Sequence, residues 1–241
     1  MSEASSGTSS SNGPKWQIEA QDRLRGAIRK YSKPLADLVA RDANEGDTRL
    51  LVTDFLCDAL GFDKYENLTT EYAVKGEFAD YGIRVEREKG EKELLAFIEV
   101  KRITTKLSER HLRQVEMYAV NEGVEWMILT NGAHWQVFHL NGGLPVQIDL
   151  VLDVNLLGDG TVAQKSSQLF YLTKESLRRH QIDELWKAKS ATSPKSLAKV
   201  LCSSEVLDAI RREIRRETHH NEETAIIGRL LKETVIRPEC L

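Results

Sequence analysis

Residues 78–101 read FADYGIRVEREKGEKELLAFIEVK, and the fold is decided by the pattern in this stretch. Residues 78–85 and 94–100 have β-type composition or alternation, and the polar run 86–93, with Gly90 in it, reads as the hairpin turn between them. Residues i and i+2 of a strand face the same side. Glu99 and Lys101 therefore project together, while Ile98 and Val100 face the core. A charged pair on an otherwise apolar strand needs a reason, because buried charges are costly unless paired or metal-bound. If the two strands pair antiparallel, Asp80 comes alongside, and two carboxylates and a lysine converge on one spot.

That set suits phosphodiester hydrolysis. Asp80 and Glu99 supply hard oxygen ligands for Mg²⁺ or Mn²⁺, and the backbone carbonyl of Val100 is a candidate further ligand. A bound metal lowers the pKa of water and offsets charge on the phosphate. Lys101 is placed to orient the attacking water or stabilise the transition state. The bland alternative is a surface salt bridge of Lys101 with Glu99 or Asp80. An E-x-K triplet alone carries little weight. The ordered set of an aspartate, a hairpin and E-x-K carries more.

Outward from this stretch the chain reads as follows. Residues 16–43 form an apolar series spaced by threes and fours, a helix that Pro34 is expected to bend or restart. A second helix over 45–60 stops at Gly61. Strands are expected over 68–74, 126–130, 134–140 and 146–152, with a helix over 105–120. Asn131-Gly132 marks a hairpin. From Thr173 the chain reads as helical: 173–189, 194–201, 203–218 and 222–235, the last with Asn221 as N-cap. The expected class is α/β: a mixed sheet flanked by helices, with an N-terminal helix and a helical C-terminal extension. The domains expected are a disordered tail over 1–14, an α/β domain over 15–172 and a helical region over 173–241. In the helix from Ser203, Val206, Ile210 and Ile214 form an apolar stripe that needs covering. Packing on the chain's own α/β domain is the simplest cover, and an oligomerisation or partner-docking face is the alternative.

The 241 residues carry a formal net charge of −3 and three scattered cysteines. This argues mildly against a general nucleic-acid binder and suits a reducing cytoplasm. No apolar run is long enough for a transmembrane helix, and the N-terminus lacks the marks of a secretory signal. Basic residues concentrate over 174–216, where they suit phosphate contacts or simply a solvated helix face, since acids are interleaved.

Residues 44–140 resemble the PD-(D/E)xK nuclease domain at the N-terminus of type I restriction enzyme R subunits and stand-alone predicted restriction endonucleases. The matching pieces come in order. Glu45-Gly-Asp-Thr-Arg49 opens the helix before Leu60-Gly-Phe-Asp63. Ala79-Asp80-Tyr81 follows, with alanine in place of the proline, then Phe97-Ile-Glu-Val-Lys101-Arg102. Gln114-Val-Glu-Met-Tyr118 and Leu129-Thr-Asn-Gly132 with Trp135 complete the series. The resemblance implies a restriction-endonuclease-like core with Asp80, Glu99 and Lys101 as its catalytic centre. It implies Glu45 on the first core helix as a further acid at the metal, and Gln114, Tyr118 and Arg102 as contacts to nucleic acid. Glu71 is a further acid, read either as an added carboxylate or as a cross-strand salt-bridge partner. The activity implied is metal-dependent DNA endonuclease in restriction or defence. The partners are DNA, a second copy as homodimer, or a separate motor or methyltransferase subunit. No G-x-x-x-x-G-K-[ST] motif is present, so the chain is not expected to translocate DNA by itself. The other reading is a nuclease-fold protein that binds nucleic acid or a partner without cutting.

Overall fold

The computed structural model describes residues 13–87, 90–142 and 146–240. Residues 1–12 of the expected tail and residues 88–89 of the expected hairpin turn lie outside that range. The described residues fall into two compact units that divide between Asp183 and Glu184.

The first unit opens with α1 (Lys15–Ala40), whose buried face is Ala20, Leu24, Ala27, Ile28, Tyr31, Leu35 and Leu38. Pro34 neither ends nor restarts this helix; it sits inside it on an exposed position. Helix α2 (Glu45–Asp58) starts at Asn44, whose side chain accepts the Asp47 N–H. Gly61, at φ +78°, turns the chain after it, in a conformation that suits glycine. A Cβ at Gly61 would stand 2.7 Å from Arg23 Nη2. That approach matters because Arg23 donates from Nη1 and Nη2 to Glu175 (2.9 and 2.7 Å) and from Nε to the Ala59 carbonyl (3.1 Å).

Six strands follow in one sheet: β1 (Leu68–Val74), β2 (Glu77–Glu86), β3 (Lys92–Val100), β4 (Trp126–Thr130), β5 (His134–Asn141) and β6 (Gln147–Asn155). Their order in the sheet is their order in the chain. All neighbours pair antiparallel except β3 and β4, which run parallel and are joined through α3 (Glu109–Glu122). The β4–β5 hairpin turns at Asn131-Gly132, as its sequence demands.

The sheet is covered on both faces, which is why β3 is buried along most of its length instead of alternating. On one face Phe97, Met127, Leu129 and Phe138 pack with Val115, Tyr118 and Ala119 of α3. On the other, Trp135 meets Phe55 of α2, which meets Tyr31 of α1. Gly82 lets the Tyr72 ring cross the sheet surface to Phe97, since a Cβ at Gly82 would lie 2.9 Å from Tyr72 Cδ2.

Beyond β6 the chain forms α4 (Val162–Leu169), which the sequence reading did not anticipate, then a 3-10 turn and α5 (Lys174–Leu177). Helix α4 starts with a capping box, Thr161 with Gln164. The helix expected over 173–189 is two helices. His180, at φ +56°, breaks it before α6 (Gln181–Ala191).

In the second unit α7 (Pro194–Leu201), α8 (Ser204–Thr218) and α9 (Thr224–Leu230) follow. The N-cap of α9 is Glu223, not Asn221: Glu223 holds the extended φ/ψ of a cap residue, and no side chain caps it. Val206, Ile210 and Ile214 of α8 are half-buried, and Leu207 closes on Gly228 of α9. No helix among the described residues is long and apolar enough to cross a membrane.

Candidate active site

The site lies where β3 ends and β2 begins, beside the N-terminal halves of α2 and α3. The antiparallel ladder of β2 and β3 pairs Tyr81 with Ile98. Continuing that register by one residue sets Asp80 opposite Glu99. Both are buried, at 7% and 4% exposure. The alignment expected from the sequence is thus the observed one.

Each carboxylate is engaged in its own way. Asp80 Oδ2 accepts the Val100 N–H at 2.7 Å, and Asp80 Oδ1 is ion-paired with Arg49 Nη2. Glu99 Oε1 accepts from Lys101 Nζ at 2.6 Å, while Glu99 Oε2 is buried without a hydrogen-bond partner. Burial pushes Asp80 up from its ordinary range, against the Val100 hydrogen bond and the Arg49 charge, which hold it down. Burial, more than the charge of Asp80, pushes Glu99 up to about 7, against the Lys101 ammonium. Burial is thus the main cost at this centre, and among the described residues one hard oxygen in it, Glu99 Oε2, has no hydrogen-bond partner.

Lys101 is held by a hydrogen-bonded chain. Its Nζ donates to Gln114 Oε1 (3.1 Å), Gln114 Nε2 donates to Tyr118 Oη (3.0 Å), and that hydroxyl donates to Glu77 Oε2 (3.4 Å). Gln114 and Tyr118 share one face of α3, as their spacing requires. The Tyr118 ring is buried against Phe97, so it serves the core through its ring and the site through its hydroxyl. His111, one turn before Gln114, also borders the centre. Burial first, then the Lys101 and Arg110 charges, lower its pKa, and Glu45 opposes them.

Other expected residues have distinct places. Glu45 is exposed at the start of α2, and its charge raises both Asp80 and Glu99. It does not close a third side of the centre: among the described residues no group of three or more His, Cys, Asp or Glu is arranged to hold a metal. Arg102 directs its guanidinium at the segment before α2, donating to the Ala43 and Asp42 carbonyls (3.2 and 2.7 Å) and pairing with the Asp42 carboxylate. Glu71 is exposed, and its partner is not across the strand but on α2, Arg49 at 3.7 Å. Arg49 had been quoted from the sequence without a role. The signal was its spacing, one turn after Glu45 on the same helix face. Glu77, at the far end of the hydrogen-bonded chain, carried no signal.

A divalent cation fits this donor set. Asp80 and Glu99 are hard oxygen donors, and among the described residues the Glu99 Oε2 lone pairs are unclaimed.

A mixed sheet covered by helices, with two buried carboxylates and a lysine gathered at one end, defines a nuclease-like α/β core. Residues 44–148 match the family model of the type I restriction enzyme R protein N terminus, and over that span the chain resembles the N-terminal domain of those R proteins. The match runs from the N-cap of α2 into β6 and takes in each residue of the centre. No curated protein and no solved structure matches the chain.

Proposed function

We propose that this chain is a divalent-cation-dependent nuclease that hydrolyses DNA phosphodiester bonds in a restriction or defence system. The observation that carries this reading is the unpartnered Glu99 Oε2, buried beside Asp80, with Lys101 fixed at 2.6 Å from the other Glu99 oxygen. Asp80, Glu99 and the Val100 carbonyl would hold Mg²⁺ or Mn²⁺, with Glu45 at the outer side. A cation there supplies Lewis-acid stabilisation of the charge that develops on the phosphate. The chain's own residues do the rest. Lys101 hydrogen-bonds the attacking water; as the water oxygen bonds to phosphorus, one P–O ester bond breaks, and the proton the water gives up is made good on the leaving oxygen by way of solvent. Gln114 holds the Lys101 ammonium in place, and Tyr118 holds Gln114 in the orientation that presents its oxygen to the lysine. Burial of the pair excludes bulk water, so these charges act in a low dielectric. A separate motor or methyltransferase subunit is the partner that the likeness to R proteins suggests.

The second reading is a nuclease-fold protein that binds nucleic acid or a partner without cutting. The ion pair of Arg49 with Asp80 favours it, because that contact occupies a donor the metal needs.

The test is cleavage of supercoiled plasmid, methylated and unmethylated, with Mg²⁺ or Mn²⁺. Cutting that needs the metal and falls by about 10²-fold or more in both Asp80→Asn and Lys101→Ala supports the nuclease. Folded protein that leaves every plasmid intact in every condition favours the second reading.

A further inference from the structure

Helix α2 brings two opposite charges to the site one turn apart, Glu45 and Arg49. Arg49 Nη2 is ion-paired with Asp80 Oδ1, and Asp80 Oδ2 already accepts the Val100 N–H. Both Asp80 oxygens are thus engaged, in a centre whose donor set suits a divalent cation. A guanidinium stands where that cation would draw on Asp80. It is poorly satisfied there: Arg49 Nε is buried without a partner, and Nη1 has only Glu71, at 3.7 Å.

Glu71 has an unusual backbone for its place. The β1–β2 ladder pairs Thr70 with Tyr81 and Tyr72 with Ala79, leaving Glu71 and Asp80 as the unpaired position between. Glu71 has φ +49°, in the left-handed region that a non-glycine residue seldom adopts inside a strand. Observed strain of this kind collects at functional sites. Its side chain is 73% exposed, so Arg49 bridges a buried carboxylate and a solvent-facing one.

The Arg49 backbone is anchored by hydrogen bonds to the core, while its head is held by ion pairs. Its carbonyl accepts the Thr53 hydroxyl at 2.9 Å and the Tyr81 hydroxyl at 3.1 Å. Its side chain is one-third exposed. The guanidinium can therefore exchange partners without opening the core.

We propose that Arg49 is an exchangeable cation of this site: it holds Asp80 until a divalent metal claims that carboxylate, then binds the phosphodiester of the substrate. The proposal rests on the nuclease reading above. A guanidinium suits both duties, since its planar donor fork matches a carboxylate and a phosphate alike. Glu71 keeps the released head at the mouth of the site. The exchange couples the two ligands: metal frees the arginine that the nucleic acid needs, so each favours the other.

The experiment has three readouts on the full chain. Mn²⁺ is titrated into metal-free protein without DNA, followed by calorimetry or by the loss of the free-ion paramagnetic signal. Binding of a short duplex is then measured in Ca²⁺, and plasmid cleavage at saturating Mn²⁺. Arg49→Gln is expected to bind Mn²⁺ about tenfold tighter than the unaltered protein, yet to bind duplex and cleave about tenfold more weakly. Arg49→Lys, which keeps the charge but not the fork, covers the case in which Arg49→Gln does not fold. It should bind Mn²⁺ within about threefold of the unaltered protein and still lose about tenfold in duplex binding. Mn²⁺ affinity unchanged or weakened in Arg49→Gln overturns the exchange, and so does duplex binding unchanged in Arg49→Lys. If the unaltered chain binds Mn²⁺ and cuts while these variants behave like it, only the exchange fails. If none of the three proteins binds Mn²⁺ and none cuts, the nuclease reading fails with it.

Discussion

Glu99 shows how one residue records the electrostatics of its surroundings. Its carboxyl is raised from 4.5 to about 7, chiefly by burial. A carboxyl whose folded pKa lies above its unfolded value favours folding most when protonated. Its contribution is therefore greatest below about pH 4.5, falls as pH rises toward 7, and is level above that. The shift corresponds to on the order of 3 kcal/mol, and Asp80, also raised by burial, acts in the same direction. Metal-free protein is expected to lose stability to urea between pH 5 and pH 8, and Glu99→Gln to flatten that loss by about 2 kcal/mol. Equal slopes in the two proteins would remove Glu99 as the source. At this scale much was legible. Asp80, Glu99 and Lys101 stood out because charge at alternate positions of an apolar strand has few explanations. Arg49 did not, because an arginine on a polar helix start resembles ordinary surface, and Glu71, read as an added carboxylate or a cross-strand partner, pairs instead with α2. What joins them to Asp80 is the packing of a helix against the edge of the sheet, which the sequence does not print.

Among the elements, all six strands were readable to within three residues at their ends, since alternation, turn residues and β-branched composition agree there. The misreadings fall at helices with little pattern. Helix α4 is eight residues long, and its buried set includes Lys165 and Ser166, so no apolar stripe announces it. Lys165 is tolerated inside because its ammonium donates to the Leu156 and Gly158 carbonyls at 2.9 and 2.6 Å. The break at His180 uses a left-handed histidine, which a reader of glycine and proline punctuation passes over. Gly61 is the opposite case, a stop signal that also serves packing. Gly61→Ala would put a methyl 2.7 Å from the Arg23 guanidinium at a backbone φ of +78°. Left-handed strain alone costs about 1 kcal/mol, and displacing the bidentate Arg23–Glu175 pair adds on the order of 1–2 more. A loss of unfolding free energy of that size, read as a lower urea midpoint, is expected, and Gly61→Asn, which tolerates this φ better, should not relieve the contact. A variant as stable as the original would mean that Arg23 moves aside freely.

Over the whole molecule, the chain from Thr173 to Asp183 is tied to the first unit by polar contacts that composition does not reveal. Glu175 takes the Arg23 fork, Asp183 accepts the Trp126 indole N–H at 2.9 Å and pairs with Arg87 at 3.1 Å, and Lys174 N–H donates to the Leu60 carbonyl at 2.9 Å. A chain cut after residue 172 would lose all of these, leaving the Trp126 N–H without its acceptor and Arg87 with Glu93 as its remaining ion-pair partner. It is expected to melt well below a chain cut after residue 191, on the order of 10 °C lower for a domain of this size. Equal melting temperatures would show that the segment contributes nothing to the fold of the first unit. The sequence showed a change from strands to helices near 173 and no more, because a change of secondary structure is not a change of domain.

The sheet whose spatial order repeats its chain order has a consequence for synthesis. A growing chain leaves the ribosome from its N-terminus and can fold as it emerges. Each strand meets its sheet neighbour as the next strand to appear, and only the β3–β4 step waits for a helix. Every residue placed at the candidate centre lies between Glu45 and Tyr118. The carboxylates, the lysine and the arginine that shields Asp80 are thus all made before the hairpin of β4 and β5 exists. A nascent chain would carry the residues of the candidate centre early, with Arg49 already available to neutralise Asp80 while the rest of the sheet is still being added.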